Sequence, residues 1–354
     1  MSEMGALDRS LERFVQPDGS SPGVQMFVSY CGRPIVDVAY GVDSRGDALT
    51  RETVHQIYCA GKPLLALSVA VLASRNALKF DTQLGDLGLP VRPSLAGISV
   101  GDLLAHRGRL DGIPFAVAQY MPRLTQQAVA LDSEPLSSTD DHAYSDFQAW
   151  ELLSTVVEKV TGQPSRDVIA ADVLDPLGLD GKVFLGGAFQ ADAIPLRSNV
   201  DVAETGLPLL WEIESANRWS PASGYFSSAA TLGEFYCRLE SALSGRARLP
   251  ILNNDWIEEL VAPGRPRLDS VLQRECGFGL GFMTGLQDHD FGHHVSSTSF
   301  GHSGHAGASW GFVDPVRNLV ISCHFNGIDN GVFSTVARRQ TVVDAIYLDL
   351  GLVD

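Results

Sequence analysis

An α/β fold is predicted for this chain, with one sheet assembled from both ends of the sequence and a mostly helical region inserted between them. Two strand-like runs flank a turn at Gly32-Arg33, and β-type runs return only after residue 277. The pattern between about residues 80 and 220 is helical and loop-rich. A sheet built from both ends leaves a cleft beside the inserted region, and small-molecule sites commonly lie in such clefts.

The elements follow in chain order from periodicity and turn residues. An amphipathic helix is predicted over 7–14, and a hairpin over 24–30 and 34–40. Gly162 provides a stop signal for the clearest helix of the inserted region. The other predicted elements are a helix that starts near Cys59, helices at 100–106 and 148–161, β-type runs at 278–282, 308–313 and 319–325, and a closing helix at 334–348.

These elements predict two interleaved domains. Residues 1–80 and 222–354 form the α/β sheet domain, and residues 81–221 form the mainly helical domain. The active site is expected in the cleft between them. A chain of 354 residues that is 45% hydrophobic and 19% charged is long enough for such a core.

Charge and cysteine content exclude several classes of partner. Lys and Arg number 26 against 42 Asp and Glu, a net charge of −16, and no basic stripe is present, so nucleic acid and anionic membranes are not expected partners. No export signal follows Met1, and no apolar run reaches membrane-spanning length. Five cysteines without paired spacing fit reduced thiols. A cytoplasmic location is therefore expected.

A thiol and a lysine lie one helical turn apart at Cys59-Ala60-Gly61-Lys62. Pro63 suits the first turn of a helix, and apolar residues follow at helical spacing. Exposed N–H groups at a helix start and a nearby ammonium both favour a thiolate, which is a strong nucleophile. The alternative from this segment alone is a small buried cysteine beside a surface lysine.

Two further segments complete a set of three motifs: Tyr144-Ser145-Asp146, ahead of a predicted helix, and His302-Ser303-Gly304, ahead of a strand. The set resembles the serine β-lactamase and penicillin-binding-protein superfamily, in the branch of class C β-lactamases, related esterases and statin side-chain acyltransferases. That family has serine, two residues, lysine; then tyrosine, one residue, asparagine; then lysine or histidine, a small residue, glycine. Cys59 replaces the serine and Asp146 the asparagine.

The resemblance extends over roughly residues 24–345 in the family's order. It implies a β-lactamase-like fold, in which an antiparallel sheet is flanked by N- and C-terminal helices. The additional matching segments are Asp102-Leu103-Leu104-Ala105-His106-Arg107-Gly108-Arg109-Leu110, Gly224-Tyr225-Phe226-Ser227-Ser228, Gly279-Leu280-Gly281-Phe282, Gly311-Phe312-Val313-Asp314-Pro315 and Asn326.

Catalytic roles are implied by the resemblance for four residues. Cys59 would attack an acyl carbon and form a thioester, while Lys62 and Tyr144 would transfer the protons of the thiol and the leaving group. A carboxylate at Asp146 suits a lysine ammonium and a thiolate better than it suits a serine with a neutral lysine. These charges predict an activated thiolate at Cys59.

The third motif is expected to bind the substrate. Backbone N–H groups of Cys59 and His305 would form the oxyanion site, and Ser303 and Gly304 would line the substrate because neither is bulky. A histidine at position 302 would make the local field depend on pH near roughly 6 to 7. A hydrogen-bonded structural histidine is the alternative for His302.

Neither a metal nor another cofactor is expected. The histidines at 289, 293, 294, 302 and 305 are clustered in sequence, but Gly292 interrupts them and no cysteine or carboxylate framework completes a zinc site. The glycine-rich segment 277–281 does not open a helix after a strand, so it is a poor nucleotide-binding loop.

Together these residues predict an enzyme that transfers acyl groups through Cys59, from an ester, thioester or amide. Water as acceptor makes a hydrolase, and an amine or alcohol makes an acyltransferase. A thioester intermediate modestly favours transfer, because aminolysis of thioesters competes with hydrolysis better than aminolysis of oxyesters does. The expected substrate is a small acyl compound. Attachment of this substrate to a carrier and a role of the enzyme in secondary metabolism are both compatible with the sequence, which does not specify the oligomeric state. One alternative is a catalytically silent protein that binds a ligand or partner in the cleft. Another is that Cys59 was introduced in place of serine to trap a complex.

Overall fold

The computed structural model describes residues 5–15, 21–43, 46–110, 121–136, 142–186, 197–198, 219–328 and 332–353. The helices are α1 (Gly5–Phe14), α2 (Lys62–Ser74), α3 (Val100–Leu104), α4 (Arg123–Leu131), α5 (Gln148–Thr161), α6 (Ser165–Ile169), α7 (Ala229–Leu243), α8 (Asn254–Val261) and α9 (Val332–Asp349). The strands are β1 (Gly23–Tyr30), β2 (Arg33–Gly41), β3 (His55–Gln56), β4 (Phe184–Leu185), β5 (Arg197–Ser198), β6 (Tyr225–Ser227), β7 (Arg267–Asp269), β8 (Arg274–Phe278), β9 (Met283–Thr284), β10 (Phe300–Ser303), β11 (Ser309–Asp314), β12 (Leu319–Phe325) and β13 (Gly327–Ile328).

The main sheet joins the two ends of the chain. Its strand order is β2-β1-β12-β11-β10-β9-β8-β7, and every neighbouring pair is antiparallel. The N-terminal hairpin pairs with the C-terminal strand β12, with Val24 opposite Phe325 and Tyr30 opposite Leu319. This arrangement confirms the predicted α/β fold with an antiparallel sheet.

Alternation along the strands separates two hydrophobic cores, one on each face of the sheet. In β12, Ile321 and Cys323 belong to the core that contains residues of α1 and α9. Val320 belongs to the opposite core, which contains α2, α5 and α7. Successive side chains of a strand point to opposite faces, so one strand can contribute to both cores. The flanking positions of α1 and α9 agree with the predicted terminal helices.

Helix α2 is buried on all sides, from Lys62 through Ala73. This explains why its apolar residues do not follow one narrow stripe, because a fully buried helix is hydrophobic around its whole circumference. Helix α5 spans 148–161 as predicted and ends at Gly162, whose φ of 70° is left-handed.

Two predicted elements differ from those observed. The run 278–282 is not one strand: β8 ends at Phe278, and Gly281 takes a φ of 87° with its backbone against Ala66, where a Cβ would lie 2.2 Å from the alanine methyl. The helix predicted over 100–106 ends at Leu104, and His106 has a φ of 57°. Both left-handed residues redirect the chain.

The predicted domain boundaries at 80 and 222 stay a prediction, since parts of the inserted region lie outside the described residues. Across the described ranges, no helix combines the length and the apolar composition needed to cross a membrane.

Candidate active site

Cys59 lies in a single 3₁₀ turn, Tyr58–Gly61, that leads directly into α2. The turn is fixed from both sides through Ile57: its N–H donates to the Tyr225 carbonyl at 2.9 Å, and its carbonyl accepts from the Ser309 hydroxyl at 2.7 Å. Tyr58 has a φ of 51°, a conformation uncommon outside glycine. Cys59 itself is half-buried. The sheet therefore presents the thiol at a helix start, as predicted.

Two glycines allow this turn to approach its neighbours closely. A Cβ on Gly61 would lie 2.1 Å from the ring of Tyr225. A Cβ on Gly304 would lie 2.1 Å from Ser309 Oγ and 2.3 Å from the Ile57 carbonyl oxygen. Both distances are far below van der Waals contact, so a side chain at either position would displace the segment that carries Cys59.

Lys62 is fully buried beneath the thiol. Its ammonium donates to Tyr144 Oη at 2.9 Å and to the Ser145 carbonyl at 3.3 Å, and it lies 4.6 Å from the centre of the Tyr144 ring. The side chain also lies under Trp150, 5.2 Å from a ring centre of the indole. The first and second motifs are therefore joined by a direct hydrogen bond.

His106 holds the second motif in position. Its Nδ1 accepts the N–H of Ser145 at 3.0 Å, and its carbonyl accepts the N–H of Ala143 at 3.1 Å. Burial lowers the pKa of His106 well below its ordinary value, so the ring stays neutral and can accept. Sequence reasoning matched the segment around His106 but assigned this residue no role. The available signal was a histidine at the last position of the helix predicted over 100–106, and this residue comes close to Tyr144 only in the fold.

The Cys59 thiol is not an activated thiolate at rest, contrary to the sequence expectation. Burial raises the pKa of Cys59 above its ordinary value. Lys62 opposes this increase and Tyr144 contributes to the opposition, but the Asp146 carboxylate adds to it. Asp146 Oδ1 lies 3.9 Å from Sγ, so the carboxylate acts on the thiol directly. The protonated thiol is the resting form at neutral pH.

The third motif contains His302 on β10, with its side chain buried beside the second motif. Its ring lies 6.2 Å from that of Tyr144, and its Nδ1 donates to the Ser303 carbonyl at 2.7 Å. Burial, with Lys62 as a second cause, lowers the pKa of His302 well below its ordinary value. The expected titration near pH 6 to 7 is therefore wrong, because the imidazole stays neutral there.

The chain leaves β10 through Gly304 into a second 3₁₀ turn, His305–Gly307. Ser303 Oγ contacts Met283 Sδ at 3.7 Å. The His305 ring lies 5.4 Å from the Tyr58 ring, and burial lowers the pKa of His305 to about 4. The turn that carries the predicted oxyanion N–H of His305 thus contacts the turn that carries Cys59.

A cavity of about 410 Å³ brings these groups together. Of the predicted site residues, those that line it are Cys59, Tyr144, Asp146, Ser303, Gly304 and His305. Lys62 and His302 are buried beneath its surface and reach it through Tyr144.

The far wall of the cavity contains charged residues that sequence reasoning missed. Arg274 forms an ion pair with Asp290. Arg339 is 5% exposed and donates to the carbonyls of His289 at 2.7 Å and Asp290 at 3.1 Å. These residues come from β8, the 285–295 loop and α9, and no local spacing connects them.

The histidine-rich stretch has separate structural partners. His289 contacts the Gly277 carbonyl at 2.8 Å through Nε2, and His293 pairs with Asp344 at 2.6 Å. Among the described residues, no group of three histidine, cysteine or carboxylate side chains is arranged to hold a metal ion.

A family model described as Beta-lactamase matches residues 7–344. This chain belongs to the β-lactamase family. The family assignment agrees with the antiparallel sheet, with the hydrogen bond between the first and second motifs, and with the cavity beside the third.

Several known proteins are similar to this chain over most of its length. Esterase EstB from Burkholderia gladioli is 24% identical over 90% of both chains. A penicillin-binding-protein homolog from Caulobacter crescentus has a TM-score of 0.77 at 20% identity, with 97% of each chain covered. EstCE1, a hydrolase with promiscuous acyltransferase activity, has a TM-score of 0.75 at 16% identity, with 97% of this chain and 99% of that chain covered.

Proposed function

We propose that this protein is an acyl-transfer enzyme that uses Cys59 as its nucleophile and passes through an acyl-thioester. The observation that carries the proposal is the buried hydrogen bond from Lys62 Nζ to Tyr144 Oη, 2.9 Å long, beneath a thiol that opens into a cavity. Both groups interact with the thiol, and both lower the pKa that burial raises. A site with these contacts can relay the proton of sulfur to the leaving group during attack.

The substrate is an ester, thioester or amide whose carbonyl enters the cavity. Its oxygen would accept the N–H groups of Cys59 and His305, which come from two 3₁₀ turns in contact with each other. No described residue receives a hydrogen bond from the Cys59 N–H. A donor that is already positioned toward the developing oxyanion stabilises the transition state without reorganisation.

Acylation breaks the S–H bond of Cys59 and forms a bond from Sγ to the acyl carbon. The thiol proton passes to Tyr144 Oη as the Tyr144 phenol gives its own proton to the leaving oxygen, sulfur or nitrogen, while the hydrogen bond from Lys62 stabilises the charge that develops on Oη. Burial raises the pKa of Tyr144 well above its ordinary value, and the Asp146 carboxylate adds to this effect. Tyr144 is therefore a phenol at rest, able to supply a proton to the leaving group.

The similarity to Esterase EstB and to EstCE1 supports hydrolysis and acyl transfer as the reaction classes. Water as the second acceptor gives a hydrolase, and an amine or alcohol gives an acyltransferase. A carrier-bound donor, a setting in secondary metabolism and a cytoplasmic location stay predictions.

The test is covalent capture. We expect incubation with p-nitrophenyl esters and acyl thioesters to add the acyl mass to the intact protein, and Cys59→Ala to abolish the adduct. Turnover without an adduct, unchanged in Cys59→Ala, would refute the covalent mechanism. No turnover and no adduct with any donor would favour the silent, ligand-binding alternative.

Cys59→Ser is the matched variant for the nucleophile. A hydroxyl at this position depends more strongly on a base than a thiol does. We expect Cys59→Ser to form its adduct more slowly, and an equal rate would show that proton transfer to the Lys62–Tyr144 pair does not limit acylation.

A further inference from the structure

The carboxylate of Asp146 has no basic partner among the residues that the structure describes. It accepts a contact from the Cys59 thiol, 3.9 Å from Sγ to Oδ1. Lys62, which also interacts with the thiol, instead donates to Tyr144 and to the Ser145 carbonyl. Asp146 therefore forms no ion pair with the described part of the chain.

The other acidic residue of the cavity wall has a different environment. Asp290 forms an ion pair with Arg274, and the Asp290 carbonyl accepts from Arg339. Asp146 is half-buried beside the reacting sulfur. A carboxylate that has lost part of its hydration without gaining a cation is costly, and a cationic ligand group would offset that cost.

We propose that Asp146 selects an amine as the acyl acceptor, an inference that rests on the proposed acyl-Cys59 intermediate. The amine nitrogen bonds to the acyl carbon, the bond from that carbon to Cys59 Sγ breaks, and one N–H proton passes to the departing sulfur. The products are an amide and the free thiol, so the step needs no further reactant.

The charge that develops during attack favours an amine over an alcohol or water. A neutral amine becomes positively charged as its nitrogen bonds to the acyl carbon, whereas an alcohol or water must lose its proton as it attacks. A fixed carboxylate stabilises the first transition state and opposes the build-up of negative charge in the second. Asp146 Oδ1 also lies 3.9 Å from Sγ, beside the sulfur that departs in this step.

The test measures how the acyl-enzyme divides between acceptors. Wild-type protein and Asp146→Asn are given p-nitrophenyl butyrate with n-butylamine or n-butanol, and amide, ester and acid are quantified after subtraction of the Cys59→Ala background. We expect Asp146→Asn to lower the amide-to-acid ratio about tenfold or more, the effect of removing one nearby charge. Asp146→Glu should keep a preference for the amine.

Asp172→Asn is the control, because it removes the same charge at a site that is paired with Arg75 and lies outside the cavity. Its amide-to-acid ratio should stay within about twofold of wild type. An unchanged ratio in Asp146→Asn, or an equal fall in Asp172→Asn, would overturn the amine proposal while the butyryl adduct on Cys59 still forms. Absence of that adduct in the wild type would instead refute the underlying acyl-enzyme.

Discussion

Two clusters of buried polar side chains lie close together in this protein. The side chains of one cluster are hydrogen-bonded, and those of the other have no hydrogen-bond partner among the described residues. In the Lys62 cluster, formed by Lys62, Tyr144, Ser145 and His106, specific hydrogen bonds join the groups. In the histidine pair, formed by His55 and His324, the rings stack at 3.9 Å, and none of the four ring nitrogens has a hydrogen-bond partner within the described residues. The side chains of both clusters are buried, but only those of the Lys62 cluster are hydrogen-bonded.

The histidine pair lies directly behind the nucleophile turn. His55 precedes Ile57 by two residues, and His324 is opposite Ser309, whose hydroxyl holds the Ile57 carbonyl. Burial lowers the pKa of His55 to about 3, against a smaller opposite effect of Asp43, and lowers that of His324 well below its ordinary value. The pair thus remains neutral and acts as packing, whereas the Lys62 cluster is hydrogen-bonded to Tyr144, which lines the cavity.

Replacing Lys62 by methionine should cause the largest loss of activity. Lys62→Met removes the ammonium that contacts Tyr144 Oη and the thiol, while a side chain of similar length keeps the buried volume filled. We expect release of p-nitrophenol from an ester substrate to fall about a thousandfold, within the range for lost acid–base catalysis.

Lys182→Met is the control for Lys62→Met, because Lys182 pairs with Glu234 on the surface and lies away from the cavity. Its activity should equal that of wild type. If Lys62→Met retained wild-type activity while remaining folded by circular dichroism, the catalytic distinction between the two buried clusters would be lost.

Gly304→Ala should disrupt the contact between the third motif and the nucleophile turn. The added methyl would meet Ser309 Oγ and the Ile57 carbonyl, the hydrogen-bonded pair that also adjoins His324. We expect unfolding to be easier by about 1–3 kcal/mol and activity to fall about a hundredfold, as for small displacements of reacting groups. Chemical denaturation and ester turnover measure the two effects.

Gly97→Ala provides the comparison for Gly304→Ala, since a Cβ at Gly97 meets no atom within 4 Å. Stability and turnover of Gly97→Ala should match those of wild type. Equal behaviour of the two alanine variants would contradict the close approach at Gly304.

The histidine pair should make the fold sensitive to acid. Folding lowers the pKa of both rings, so both are neutral in the folded protein at neutral pH. Their contribution to the free energy of unfolding is fully present above about pH 6.5. It is lost as pH falls toward about 3, the pKa of His55 in the folded protein. Below pH 6.5 the loss is about 1.4 kcal/mol per histidine for each pH unit. His324→Phe should therefore flatten the dependence of unfolding free energy on pH, measured by urea denaturation.

Above pH 6.5 both histidines are neutral in the folded and unfolded chains, so this difference between wild type and His324→Phe should disappear there. Parallel pH profiles at all values would show that the stacked pair is not a source of acid sensitivity.

Local pattern predicted the elements best where a periodic run ends at a strong signal. Helix α5 was predicted to the residue because Gly162 adopts the left-handed cap. The spacing of Cys59 and Lys62 also predicted their common helix start. The run 278–282 was mispredicted because its departure from the sheet depends on Gly281 packing against Ala66, a contact between distant segments.

Electrostatics at the site could not be derived from the same patterns. Sequence suggested that Asp146 would act through Lys62, whereas it lies beside the thiol. Sequence also suggested a titrating His302 and an ionised Cys59, and burial reverses both expectations. Burial is a property of the assembled cavity, which residue spacing does not specify.

Alkylation of Cys59 by iodoacetamide should show the smallest and most specific effect, a displaced pH profile. Only the thiolate reacts, and burial raises the pKa of Cys59, so the midpoint should lie above about 8.5, the pKa of a model thiol. Lys62→Met should move the midpoint further up, because Lys62 is the largest effect that lowers this pKa. Asp146→Asn should move the midpoint down, because the carboxylate raises the pKa of Cys59.

Opposite shifts of the midpoint in these two variants would separate the charge of each group from a general change in exposure of the thiol. Shifts in one direction would mean that solvent access to the thiol controls its reactivity.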